Sequence, residues 1–177
     1  MGNNILIVDL ESTCEKGQVP GDGYHNQIIE IGAVWVSPNG QVLDQFEQLV
    51  QANLPISGYC TELTTITQSE SDGGATFAEA CEALAEFAGR YPSNTWGSWG
   101  GSDLRALAFD CAYHGIKSPI DGWVHRNLKA EFAKQRKIKQ VGMARALKIM
   151  GIVLEGAHHR ALPDVMNIAK LLAATQK

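Results

Sequence analysis

Residues 4–13 read NILIVDLEST. The apolar residues Ile5 to Val8 run without alternation into Asp9, Leu10 and Glu11. An unbroken apolar run of this length is the pattern of a strand buried on both faces, as in the middle of an α/β sheet. A buried strand that ends on two carboxylates needs something to pair with them, because an unpaired buried charge is costly. Asp9 and Glu11 stand at i and i+2, so both project from one face of the strand and Leu10 from the other. In open α/β sheets the functional crevice lies beyond the carboxyl ends of the strands. Two carboxylates facing one way there repel unless a cation sits between them, and hard oxygen ligands favour Mg²⁺ or Mn²⁺. Taken alone, the D-x-E pattern is equally compatible with a strand end that carries two solvated acids.

Outward from this strand, residues 12–26 are rich in Gly, Pro and polar residues and read as a surface loop. QIIEIGAVWVS (27–37) and VLDQFEQLVQ (42–51) read as strands, joined by a tight turn at Pro38-Asn39-Gly40. Residues 53–75 read as irregular, with a short helical turn near CTELTTIT. Thr76 and Glu79 form a capping box that opens an amphipathic helix reaching about Tyr91. TWGSW (95–99) is a short strand, and Ser102 is placed to cap a helix over 103–114 that Gly115 stops. Residues 127–136 and 141–150 read as helices, and Pro163 suits the first turn of a last helix, PDVMNIAKLLAAT. The order β-β-β-α-β-α followed by helices predicts an α/β fold: three antiparallel strands, then parallel ones, in a mixed sheet flanked by helices on both faces. At 177 residues, with no repeat and no linker, the expectation is one domain over 1–177.

Composition narrows the classes. Apolar residues make up 45% and no run approaches a membrane span, so no membrane association is expected. A secretory leader is not expected from the first residues, and Leu6 stands where a myristoylation motif wants Ser or Thr. Cys14, Cys60, Cys81 and Cys111 have no C-x-x-C spacing, which suggests reduced thiols in a cytoplasmic protein and no zinc site. The net charge of −4 hides an uneven distribution: residues 126–148 carry +7 and the rest of the chain −11. That basic segment is either a solvated helix surface or a patch for phosphates on a protein otherwise too acidic to bind them indiscriminately.

Other residues offer chemistry at later strand ends. SWGGSD places Asp103 after a strand and in the first turn of a helix, where it can serve the same crevice or simply complement the helix dipole. HHRALPD places His159 on the loop before a helix whose first turn holds Asp164. A loop histidine beside a metal-binding acid is suited to take a proton from water; by itself, an HH pair is also an ordinary surface feature.

In combination, Asp9-x-Glu11, Asp103 and His159-x4-Asp164 resemble the DEDDh family of 3′–5′ exonucleases, which share a ribonuclease-H-like fold. DLESTCE, NQIIEIGAV, LTTITQ, SWGGSD and HHRALPDVMNIAKLL are similar, in order, to the branch of exoribonucleases that trims small RNAs, histone mRNA ends and ribosomal RNA, with its bacterial relatives. The resemblance spans nearly the whole chain. It implies that Asp9, Glu11, Asp103 and Asp164 ligate two Mg²⁺ or Mn²⁺ ions, with Asp9 bridging. It implies His159 as general base, since only His159 and not His158 has the family spacing to Asp164. The implied reaction is hydrolysis of a single-stranded RNA (or DNA) with a free 3′ end to nucleoside 5′-monophosphates.

Tyr59 and Trp99 would flank the terminal base, the latter also suiting core packing. The Leu10 backbone and the Thr13 hydroxyl would meet the terminal sugar, and the basic segment upstream phosphates. Glu30 reads as structural. Two departures stand out: Thr65 where the branch usually has Gly, and Pro163 in place of an acid beside the last Asp. Three other readings stay open. DLEST also approaches the D-x-D-x-T of haloacid-dehalogenase-type phosphatases, which would make Asp9 a covalent nucleophile. A DNA-proofreading exonuclease shares the five positions, and a non-catalytic RNA-binding module can occupy the same fold. Nothing in the sequence specifies an oligomeric state.

Overall fold

The computed structural model describes residues 3–18 and 26–175; residues 19–25 of the expected 12–26 loop lie outside them. Five strands, β1 (Ile5–Ser12), β2 (Ile28–Val36), β3 (Val42–Leu49), β4 (Thr95–Ser98) and β5 (Val124–Asn127), form one sheet in the order β3-β2-β1-β4-β5. β1 pairs antiparallel with β2 and parallel with β4; β2–β3 is antiparallel and β4–β5 parallel. This is the mixed α/β sheet expected from the element order. Between the strands run α1 (Gly58–Thr64), α2 (Gln68–Asp72), α3 (Phe77–Ala88) and α4 (Ser102–His114), and after β5 come α5 (Leu128–Arg136), α6 (Met143–Met150) and α7 (Ala161–Thr175).

The two faces of β1 feed two cores. Leu6 and Val8 pack with Leu84, Phe87, Trp96 and Leu107 from the α3–α4 side, and Leu10 packs against the same cluster. Ile5 and Ile7 pack with Leu128, Leu147, Val165 and Ile168 from the α5–α7 side. Alternation therefore continues Ile5 and Ile7 into Asp9 and Glu11 on the face that α7 covers. Their partners across the ladder are Gly32 opposite Asp9 and Glu30 opposite Glu11. At Gly32 the first turn of α7 comes down onto the sheet: a Cβ there would stand 2.3 Å from the Ala161 carbonyl carbon and 2.6 Å from the Leu162 nitrogen. That close approach brings Asp164 over β1.

Several boundaries differ from expectation for physical reasons. β5, with the sequence VHRN, is a four-residue, half-exposed edge strand without an alternating apolar pattern. α2 opens with a capping box at Thr67 and Glu70, the same T-x-x-E signal that marks Thr76 and Glu79 at α3. Ser102 is the first residue of α4 rather than its cap; Gly101 precedes it without a side-chain cap. Thr65, the residue that departs from glycine, ends α1 at φ +65° in the left-handed region. A β-branched residue is strained there and glycine is not.

Two outcomes test this packing. Gly32→Ala forces α7 off the sheet and should lower unfolding free energy in urea by about 1–3 kcal/mol or more, as for overpacked cores. Thr65→Gly should instead raise the midpoint, by about 1 kcal/mol of relieved strain.

Candidate active site

Four carboxylates reach one cleft from three places in the chain. Asp9 and Glu11 come from the end of β1, Asp103 from the first turn of α4 and Asp164 from the first turn of α7. The cleft, of ≈ 290 Å³, is lined by these four with Leu10, Trp99, Ser102, Gly142, Met143, His158, His159 and Ile168. Carboxylate oxygens of Asp9, Glu11 and Asp164 lie within 4.8 Å of one another. Asp103 is 6% exposed and turns Oδ1 to the Leu10 N–H, which donates to it at 3.3 Å. That bond ties the start of α4 to β1.

The arrangement is electrostatically unfavourable as it stands. Burial, followed by the charges of Asp103, Glu11, Asp164 and Glu30, holds the Asp9 carboxyl well above the usual carboxylate range. Glu11 is pushed up to about 8 by burial and by Asp164, Glu30 and Asp103. Asp103 is raised by burial, against the pull of the hydrogen bonds it accepts. The Arg160 guanidinium offsets the Glu11 shift only in part, because it is committed to Glu30. Arg160 donates from Nε to Glu30 Oε1 and Oε2 at 3.0 and 3.1 Å and from NH2 to Oε1 at 2.5 Å, while the Ala161 N–H donates to Oε2 at 2.8 Å. Glu30 is fully buried, and this clamp pins the loop that leads into α7. An acid inside the buried run IIEIG was the signal in the sequence: a charge in such a strand requires a partner. Clustered hard oxygen donors with no cationic side chain among them fit a divalent metal ion.

The histidines sit at the other edge. His158 Nδ1 is 3.1 and 3.2 Å from the two Asp164 oxygens. His159 takes φ +64°, its N–H donates to Asp164 Oδ2 at 3.1 Å, and its ring stacks on His158 at 3.9 Å. Burial, then the neighbouring His158, lowers the His159 pKa, so its ring is neutral at neutral pH. Both histidines line the cleft, where sequence spacing singled out only His159.

Of the expected substrate contacts, Leu10 and Trp99 line the cleft. Trp99 also packs on Phe132 at 5.6 Å and donates Nε1–H to the Val141 carbonyl at 3.0 Å, so it is a fixed wall as well as a core residue. Thr13 is not brought there: it is 1% exposed, and its hydroxyl accepts the Gln27 N–H at 2.9 Å. A backbone bond between the same two residues completes that pairing, so the side chain that looked available in sequence joins β1's end to the start of β2. Tyr59 is 40% exposed on α1, outside the cleft lining.

The family model described as Exonuclease matches residues 6–172. The chain belongs to the exonuclease family. Its relatives include the Xenopus laevis ERI1 exoribonuclease 2, 31% identical over 94% of this chain and 27% of that protein. They also include the probable 3′-5′ exonuclease KapD of Bacillus subtilis, 27% identical over 99% of this chain and 85% of KapD. Among solved structures, the nuclease domain of 3′hExo, a DEDDh family member bound to rAMP, superimposes with a TM-score of 0.87 at 25% identity, covering 97% of this exonuclease and 90% of that domain. The fold is accordingly the ribonuclease-H-like fold of the DEDDh exonucleases. Among the described residues no helix is long and apolar enough to cross a membrane.

The raised carboxyls make stability depend on pH and metal in a definite direction. Between pH 4.5 and about 8 the folded protein holds the Glu11 proton that the unfolded chain has released, so metal-free stability falls as pH rises through that window. Thermal melts in chelator should show the midpoint decreasing over this range. Added Mg²⁺ or Mn²⁺ should raise it, most at the alkaline end, and Glu11→Gln should flatten the slope.

Proposed function

We propose that this exonuclease hydrolyses single-stranded 3′ ends, with RNA preferred, and releases nucleoside 5′-monophosphates. One exonuclease domain spans the chain in this reading. The observation that carries it is the convergence of Asp9, Glu11, Asp103 and Asp164 with His159 in one cleft. The names of the relatives and the rAMP bound to the 3′hExo nuclease domain support the direction, the RNA preference and the 5′-monophosphate product.

Asp9, Glu11, Asp103 and Asp164 would hold two divalent ions, Mg²⁺ or Mn²⁺. When bound, such ions supply Lewis-acid stabilisation of the charged phosphate and ease deprotonation of water. The chain's own groups do the rest. His159, neutral at neutral pH, accepts a proton from the attacking water on a ring nitrogen. The water oxygen bonds to phosphorus, the bond from phosphorus to the 3′ oxygen of the penultimate nucleotide breaks, and that oxygen takes up a proton. Trp99 offers a π-face for the terminal base, and base stacking on an aromatic is tolerant of sequence. Leu10 lies beneath the terminal sugar. Tyr59, exposed on α1, reaches the base in this reading only from outside the cleft, and Thr13 acts through the shape of β1's end rather than by touching sugar.

Mononucleotide release with Mn²⁺ from matched RNA and DNA strands tests the reading, with faster release from RNA expected. A 3′-phosphate should block both strands; continued release would refute 3′-end recognition. No mononucleotide release from any strand would favour a binding module. His159→Ala should lower kcat by about 10²–10⁴-fold, the usual contribution of a general base. An unchanged kcat would assign the proton transfer elsewhere.

A further inference from the structure

Asp164 belongs to two groups of ligand atoms that differ in kind. On one side its carboxylate meets Asp9 and Glu11, an all-oxygen set. On the other it meets His158 and His159, and here two ring nitrogens and a carboxylate oxygen lie within 4.8 Å of one another. The exonuclease reading uses the first set for metal. Of the second it assigns a role in proton transfer to His159 and leaves His158 without one.

The second set has its own chemistry. Imidazole nitrogen suits Zn²⁺, whereas Mg²⁺ and Mn²⁺ favour oxygen, and Zn²⁺ binds a given site more tightly than Mn²⁺. Two histidines and one carboxylate fill three corners of a tetrahedron and leave the fourth to water. Ligand atoms on one tetrahedral zinc stand about 3.3 Å apart. His158 Nδ1 stands 3.1 and 3.2 Å from the Asp164 oxygens. His158 is exposed and His159 half-buried, so both rings can turn to close the set around an ion. Arg160, the neighbouring cation, is held by Glu30 and does not contest the carboxylate. The loop beneath the rings is fixed: a Cβ on Gly156 would stand 2.8 Å from the Pro163 Cβ, and Asn167 ties Glu155 to α7.

We propose that His158, His159 and Asp164 bind a zinc ion that switches the exonuclease off. The site is a property of these three side chains; its effect on activity rests on the exonuclease reading. A neutral imidazole has one nitrogen lone pair. When zinc holds that pair on His159, the ring cannot take a proton from water. An Asp164 oxygen bound to zinc is likewise withdrawn from the side of Asp9 and Glu11. Mn²⁺ in excess then fills the acidic side of an enzyme that lacks its base. Removing zinc returns both groups, so the inhibition is reversible.

Zn²⁺ titrated into the Asp9→Asn protein, whose all-oxygen set is impaired, reads the site apart from hydrolysis. The imidazole nitrogen resonances should show His158 and His159 taking up one equivalent, with the other three of the chain's five histidines unmoved. Movement of neither, or of His159 alone, overturns the site. His158→Gln changes an exposed side chain and leaves the core intact. It should weaken zinc binding by about 100-fold or more, since losing even an outer-shell partner costs about 10–100-fold; unchanged affinity overturns the site. With Mn²⁺ in excess, Zn²⁺ should abolish mononucleotide release by the wild type. His158→Gln, measured against its own zinc-free rate, should need about 100-fold more Zn²⁺ for the same inhibition. Equal sensitivity of the two proteins would put the inhibitory zinc in the all-oxygen set and overturn the switch. If the wild type releases no mononucleotide without zinc, the exonuclease reading fails, and the imidazole titration alone decides the site.

Discussion

The contact of α7 with the sheet at Gly32 is the constraint on which the rest of this molecule depends. Asp9, opposite Gly32 on the neighbouring strand, is fixed by the β1–β2 register. Asp164 is fixed by the first turn of α7. Only a residue without a side chain at the crossing allows the two to share a space, since any Cβ would overlap the Ala161 carbonyl. The helix cannot retreat without taking Asp164 and the His158–His159 loop with it. The sheet cannot shift by one residue without turning Asp9 and Glu11 to the opposite face.

Around that crossing the protein separates its charges deliberately. Glu30 and Arg160 neutralise each other in the interior and also anchor the Ala161 N–H. Losing Arg160 would leave Glu30 as an uncompensated buried charge, at a cost of roughly 3–5 kcal/mol. The same pairing commits the guanidinium to Glu30, while burial first, and for Asp9 and Glu11 the neighbouring carboxylates as well, keeps the pKa of Asp9, Glu11 and Asp103 raised. His159 is held in a left-handed conformation by its N–H bond to Asp164. A non-glycine residue in that region stores about 1–3 kcal/mol, and such strain collects where geometry has to be held. The loop is braced from behind as well, where Asn167 bonds the Glu155 and Pro163 carbonyls and accepts the Glu155 N–H.

What was legible in the sequence follows from how local each signal is. β1, β2 and α3 were readable because an apolar run, an alternation or a capping box involves residues a few positions apart. β5 was not, because four half-exposed residues at a sheet edge owe their strand to pairing with β4 rather than to their own pattern. α2 carries a capping box at Thr67 and Glu70, but its five residues lack the apolar periodicity that marks a helix in sequence. Thr13 shows the opposite failure: a hydroxyl beside the acids looked available, but its backbone and side chain both pair with Gln27, fourteen residues on.

The sequence by itself determined which chemistry this protein carries: carboxylates at strand and helix ends, a histidine spaced from the last of them, and the motif order of an exonuclease. It could do so because donor chemistry and i to i+2 alternation are properties of the chain alone. Tertiary structure alone decided how those groups meet. It buried Glu30 against Arg160 and set His158 as well as His159 at Asp164. It also left Lys129, Arg136, Lys137 and Lys139 without an ion pair among the described residues. Each of these depends on the distance between residues far apart in sequence, which is fixed only when the helices close on the two faces of the sheet.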